Sequence, residues 1–169
     1  MNALDDMPAF SNEEFVRHLS ALGYPPFRYV EPHPQPENPA ALLLWALDAP
    51  DLEARLAEAL PWLLLAFADL DATWLVREAK LHDLQNRLGF LTTVAHDLAL
   101  THPRFAPRAQ DLAQLLAALE PLRLAREDSF FEPPMSPSTR ELLRRLQTPA
   151  AAHWNVLTYW KAEQLNYDF

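Results

Sequence analysis

The sequence predicts an all-α fold, an irregular bundle of about six to eight helices with a proline-rich extended connector near the N-terminus. Three observations predict it. Capping residues precede apolar segments along the whole chain. β-Branched residues are scarce, and no alternating apolar and polar run is bounded by turns. Half of the 169 residues are hydrophobic, enough to bury a core without a metal or disulfides.

The N-terminal region predicts a short helix followed by a connector. Ser11 or Asn12 caps the helix EEFVRHLSAL, and Gly23 ends it. Residues 24–39 contain six prolines, which lack an amide donor and have a fixed φ, so we predict an extended segment there. Its aromatic residues argue against a free linker and are expected to contact the body: Tyr24, Phe27 and Tyr29.

The sequence of residues 40–169 predicts a series of helices. PAALLLWAL is apolar on all sides and is expected to be buried, and Pro61 either bends the next helix or opens a new one. Asp71 precedes a long helix over 72–100, and further helices begin at Pro107, after Ser136 or Ser138, and after Thr148, the last spanning AAAHWNVLTYWKAEQL. The predicted domains are an acidic helical arm over 1–23, a connector over 24–39 and an all-helical body over 40–169.

The net charge of −9 is concentrated in the first 71 residues, which hold 12 acidic residues and three arginines. Residues 72–169 hold 11 charges of each sign. A nucleic-acid backbone requires concentrated positive charge, so direct nucleic-acid binding is not expected. The acidic half either aids solubility or guides a basic protein partner toward this surface.

Composition excludes several functional classes. The absence of cysteine excludes disulfides, thiolate zinc sites and cysteine nucleophiles, and two glycines are too few for a phosphate-binding loop. Neither G-x-S-x-G nor H-E-x-x-H occurs. The N-terminus lacks a signal-peptide pattern, and the longest apolar run, ALPWLLLAFA, is about half a membrane span. We therefore expect a cytoplasmic protein without a cofactor or membrane association.

The segment REAKLHDLQNRLGF, at 77–90, is the densest run of hydrogen-bonding side chains. On a continuous helix over 72–100, one face carries a small and polar stripe of His82, Asn86, Gly89, Thr93 and His96. We predict that this helix is continuous and crosses a neighbour closely at Gly89; the alternative is that it ends there. No metal site is expected, because His82 and His96 lie four turns apart.

The polar side chains of this segment have two interpretations. Either they satisfy the backbone of neighbouring segments at the centre of the bundle, or they line a recognition groove. The candidate binding residues are His82, Gln85, Asn86, Arg87, Gly89 and His96.

One catalytic spacing also occurs in this segment. Arg77 and His82 match the arginine-to-histidine spacing of HEPN-type ribonucleases, all-helical dimers in which the arginine stabilises phosphate charge and the histidine moves a proton. A second match joins Arg28 to His33, and chance alone predicts about one match in a chain of this composition. The spacing therefore does not discriminate, and a small helical ribonuclease stays an alternative.

The segment from about Glu58 to Asp97 resembles the helical segment that follows the DNA-reading domain in some bacterial helix-turn-helix regulators and antitoxin-like proteins. The resemblance rests on LPW at 60–62, WLV at 74–76 and LQNRLGF at 84–90. No basic helix-turn-helix precedes it here, so DNA binding does not carry over. The resemblance implies a helical sensing or partner-binding module.

The sequence thus favours a non-enzymatic protein-interaction module, antitoxin-like or regulatory, and it is compatible with a homodimer. Acidic residues of the N-terminal half would guide the encounter with a protein partner, and hydrogen-bonding side chains at 82 and 85–87 would give specificity. The alternatives are a ribonuclease that uses Arg77 and His82, and a helical regulator with a small-ligand pocket beside Gly89.

Overall fold

The computed structural model describes residues 3–130 and 135–169 and confirms the all-α prediction. About 63 % of the chain is helical. In chain order the helices are α1 Asn12–Ala21, α2 Pro39–Asp48, α3 Ala54–Ala57, α4 Ala59–Ala66, α5 Ala72–Leu81, α6 Gln85–Thr101, α7 Ala109–Leu119, α8 Pro137–Leu146 and α9 Pro149–His153. Short 3-10 helices lie at Leu4–Asp6, Pro25–Phe27, Pro103–Arg108, Glu120–Leu122 and Ala162–Gln164.

Four helices begin at side-chain caps that the sequence predicts. In each case the capping oxygen accepts a hydrogen bond from the backbone N–H three residues later; the caps are Ser11, Asp71, Ser136 and Thr148. Pro61 lies in the first turn of α4, where a missing N–H costs little. Every residue from Ala40 to Leu47 in α2 is buried, as its all-round apolar sequence predicts.

The prediction of one continuous helix over 72–100 is wrong. The chain leaves the helix at His82 because Asp83 adopts a left-handed conformation, with φ of 56°. The His82 N–H makes the last regular helical bond, to Glu78 O, and the Leu84 N–H donates to Ala79 O, which is the six-to-one bond of a Schellman end. An aspartate tolerates this conformation better than most residues, so the helix ends without a glycine.

The predicted final helix is also too long. Helix α9 ends at His153, and Asn155 follows in the left-handed region with φ of 54°. The next residues form a short parallel strand, β2 Val156–Leu157, paired with β1 Asp128–Ser129. The sequence shows no strand here because two residues are too few for a pattern. Residues 131–134 of the predicted loop REDSFFEPPMSPS lie outside the described part of the chain.

The proline-rich segment packs against the helices at one end and lies against α1 along its length. Tyr24 is buried with its ring 5.0 Å from that of Trp62, and Phe27 is partly buried. Tyr29 is 84 % exposed, so the expected contact through this residue is wrong. Farther along, the His33 N–H donates to Arg17 O at 3.0 Å.

Helix α6 is the centre of the molecule. It packs against α2, α4, α5, α7, α9 and both strands, and one continuous apolar core surrounds it. Phe15 and Leu19 of α1 belong to the same core. No helix within residues 3–130 and 135–169 combines the length and apolar character that crossing a membrane requires.

Candidate functional site

The break between α5 and α6 opens a polar cleft of about 320 Å³, which we call the break cleft. It collects side chains from the end of α2, the break, the start of α6 and β1. Two of the predicted binding residues, His82 and Arg87, line it, and the remaining lining residues are Asp48, Ala49, Pro50, Asp83, Leu84, Arg126, Asp128 and Ser129.

His82 lies between two carboxylates. Its Nε2 is 3.7 Å from Asp5 Oδ1 and 3.9 Å from Glu78 Oε2. Glu78 is buried, and its Oε2 accepts a hydrogen bond from the Leu4 N–H at 3.2 Å. The N-terminal turn is therefore fixed beside the break, and it adds negative charge next to the imidazole.

Arg87 ties three elements together. Its Nε and Nη2 donate to the two carboxylate oxygens of Asp128, at 2.9 and 3.0 Å, and its Nη1 donates to Leu47 O at 2.7 Å. The bond to Leu47 O satisfies a carbonyl in the last turn of α2, and the paired bonds to Asp128 join α6 to β1. The guanidinium charge is thus matched within the chain.

The other charges of the break cleft leave it acidic. Arg126 pairs with Asp83 at 3.3 Å, so each of the two arginines of the break cleft is paired with an aspartate. Asp48 is exposed and makes no ion pair with any described residue. The break cleft therefore offers an unmatched carboxylate, which suits a cationic side chain better than a phosphate.

Asn86 and Gly89 lie under other chain segments. Asn86 is fully buried; its Oδ1 accepts from the Leu124 N–H at 2.8 Å, and its Nδ2 donates to Leu124 O at 2.9 Å. A Cβ at Gly89 would lie 2.4 Å from Trp154 Cε3, so the predicted close crossing at Gly89 is seen within α6. His96 is half-buried farther along α6 and does not line the break cleft.

Gln85, the first residue of α6, is buried, and its Oε1 has no hydrogen-bond partner among the described residues. An orphaned buried acceptor costs about 1–3 kcal/mol. Gln85→Met keeps the length and helix propensity of the side chain, so we expect the free energy of unfolding to rise by about 1 kcal/mol. Urea denaturation checks this, with Gln110→Met, at an exposed helical position, as the control. A loss of stability in Gln85→Met would show that the amide is satisfied after all.

The two residues of the ribonuclease spacing share one carboxylate. Arg77, with its side chain 61 % exposed, places Nε 3.4 Å from Glu78 Oε1, while His82 approaches Oε2 of the same residue. A phosphate between Arg77 and His82 would meet the charge of Glu78, which is buried and fixed. This geometry disfavours phosphate binding at that place.

A separate cluster on α1 brings together Glu14, His18 and His33, whose ligand atoms lie within 4.8 Å of one another. The two imidazoles stack with centroids 4.0 Å apart and planes inclined by 22°. Both Nδ1 atoms accept backbone hydrogen bonds, from the N–H of Glu37 at 3.1 Å and of Gln35 at 3.1 Å. With Nδ1 acting as acceptor, a neutral imidazole carries its proton on Nε2, so this geometry favours a structural clasp on the connector over a metal site.

The clasp predicts a pH dependence of stability. Burial, followed by the neighbouring His33 charge, lowers the pKa of His18 from 6.5 to about 4. Between these values the unfolded chain binds more protons than the folded one, so the His18 contribution is complete above pH 6.5 and is lost as the pH falls toward 4. Urea unfolding at several pH values should therefore show a shallower slope in this range for His18→Gln than for the wild type. An unchanged slope in His18→Gln would contradict the assignment.

The fold and the site define the class of this protein: an all-α protein with an acidic polar cleft at a helix break. No protein-family model, no curated protein and no solved structure matches the chain.

Sequence reasoning identifies one side of the site and misses the other. His82 and Arg87 stand out in a dense polar segment, but Asp128 lies 41 residues from Arg87, and no local pattern joins them. The burial of Glu78 and its contact with the N-terminal turn are equally long-range. The histidine clasp was missed because His18 and His33 are separated by a chain reversal.

Proposed function

We propose that this chain is a non-enzymatic protein-interaction module, antitoxin-like or regulatory, that binds a basic protein partner through its acidic N-terminal half and the adjoining break cleft. The observation that carries the proposal is the unmatched negative charge of this surface. Of the 12 acidic residues in 1–71, only Asp5, Glu14 and Glu53 make ion pairs within the described part of the chain, which leaves nine. Ten of the twelve are exposed.

Part of this charge surrounds a groove beside α1. Glu13, Glu31 and Glu53 line it together with Arg17 and Arg55. Both arginines already pair with neighbouring glutamates, at 3.1 and 2.6 Å, whereas Glu13 and Glu31 pair with no described residue. A basic side chain arriving here gains a partner without having to displace one, which favours rapid, salt-sensitive association.

The experiment captures partners from the host cells, then measures the affinity of the purified partner for two matched double variants. Glu13→Gln with Glu31→Gln removes two unpaired acids from the groove, and Glu163→Gln with Asp168→Asn removes two exposed acids from the C-terminal segment. We expect the first pair to weaken binding by about tenfold at low salt and to flatten its salt dependence, and the second to change little. Equal effects of the two pairs, or a partner without a basic surface, would contradict the proposal.

The ribonuclease alternative is distinguished in the same preparation. An RNA-cleaving activity that is lost in His82→Ala, with the fold retained, would establish the enzyme and reject the binding module.

A further inference from the structure

An apolar recess on the molecule's described surface lies away from the break cleft. It has a volume of about 480 Å³ and is enclosed by the end of α4 with the loop that follows, the start of α5, and one face of α7. Pockets that hold small molecules have volumes of roughly 300–1,000 Å³. We call this recess the Arg108 cavity; it shares no lining residue with the break cleft or with the groove beside α1.

The walls of the Arg108 cavity are apolar, and much of its rim is formed by small side chains. Buried leucines form the floor: Leu64, Leu75, Leu112 and Leu115. The rim consists largely of small exposed residues, including Ala68, Ala72 and Ala118. Because these side chains end at Cβ, they leave the leucine floor open to an entering molecule.

A buried positive charge lies in this apolar wall. The Arg108 side chain is only 10 % exposed. Its Nε and Nη2 each donate to Leu64 O at 3.3 Å, and its Nη1 donates to Asp111 Oδ2. These three bonds use three of the five guanidinium N–H groups, and the described residues provide no acceptor for the other two.

The partner carboxylate is far more exposed than the guanidinium. Asp111 belongs to the first turn of α7, and its side chain is 55 % exposed. A carboxylate that enters the cavity can use the remaining N–H groups or take the place of Asp111, which would return to water. A cationic ligand would instead meet the fixed charge of Arg108 at close range.

We propose that the Arg108 cavity binds a small organic carboxylate with an apolar tail. The carboxylate accepts hydrogen bonds from the Arg108 guanidinium, and the tail covers the leucine floor. The pairing of a buried guanidinium with an apolar wall selects this class over neutral or cationic molecules of the same shape. The site goes beyond the proposed partner binding and would add a ligand-sensing function on a different face.

Isothermal titration with octanoate, octanol and octylamine tests the chemistry. These probes share a tail and differ in the head group, so we expect octanoate to bind one site per chain roughly tenfold or more tightly than octanol, and octylamine not to bind. Equal affinities for octanoate and octanol, or no binding of octanoate at millimolar concentration, would overturn the proposal.

A pair of neighbouring variants tests the location. Ala118→Trp fills the cavity from its rim, whereas Ala117→Trp places the same side chain on an exposed part of α7 outside the cavity. Octanoate binding should be lost in the first and kept in the second, with unchanged helical content in both. Retained binding in Ala118→Trp would place the ligand elsewhere. A dimer that dissociates only in Ala118→Trp, by analytical ultracentrifugation, would assign the cavity to a second copy of the chain instead.

Discussion

Trp154→Ala is expected to lower the free energy of unfolding by about 3–5 kcal/mol, the largest effect of any single substitution considered. The indole is 2 % exposed and lies directly on the backbone of α6 at Gly89. Its Nε1 donates to Thr93 Oγ1 at 3.0 Å, so truncation removes both a large apolar contact and a hydrogen bond. Urea denaturation followed by circular dichroism measures the change.

Tyr159→Ala is the matched control, because it truncates a large aromatic residue of the same C-terminal segment that is 54 % exposed. A loss within about 0.5 kcal/mol is expected there. A comparable loss in both variants would mean that the C-terminal segment is stabilised as a whole and not through the contact with α6.

The same contact explains why a glycine occupies the middle of α6. Glycine weakens a helix by about 1 kcal/mol relative to alanine, so its presence requires a gain elsewhere. At Gly89 the gain is the close approach of the indole, which a Cβ would prevent. Trp154 occupies the position beside Gly89 at which the sequence suggests a small-ligand pocket.

How far the sequence predicts this fold depends on the range of the interactions involved. The caps at Ser11, Asp71, Ser136 and Thr148 are visible because a capping bond spans only three residues. The end of α5 at Asp83 is not, because an aspartate adopts the left-handed conformation only where the surrounding packing requires it.

In the candidate site, too, short-range features can be predicted from the sequence and long-range contacts cannot. The sequence groups His82 and Arg87 in one dense polar segment, but a helix drawn through Asp83 places them on opposite faces. The pairing of β1 with β2 joins Asp128 to Val156, and the contact of Asn86 with Leu124 spans 38 residues. Such pairs depend on the whole topology, which a single sequence does not contain in local form.

Asn86→Ala is expected to lower the free energy of unfolding by about 2–4 kcal/mol. The Asn86 amide pairs with both the N–H and the carbonyl of Leu124, in the segment that leads into β1. Without its Oδ1, the Leu124 N–H loses an acceptor that a fully buried side chain supplies. Leu124 O keeps a donor in this variant, because Asn155 Nδ2 also donates to it at 2.8 Å. The loss therefore falls mainly on the N–H.

Asn155→Gly separates these two contributions. Glycine relieves the left-handed strain at this position, where φ is 54°, and Leu124 O keeps the bond from Asn86, so we expect a change within about 1 kcal/mol. Amide hydrogen exchange should show faster exchange at Leu124 in Asn86→Ala and wild-type protection in Asn155→Gly. If Asn86→Ala retained stability and protection while partner binding failed, Asn86 would belong to the recognition surface, and its role in anchoring β1 would be rejected.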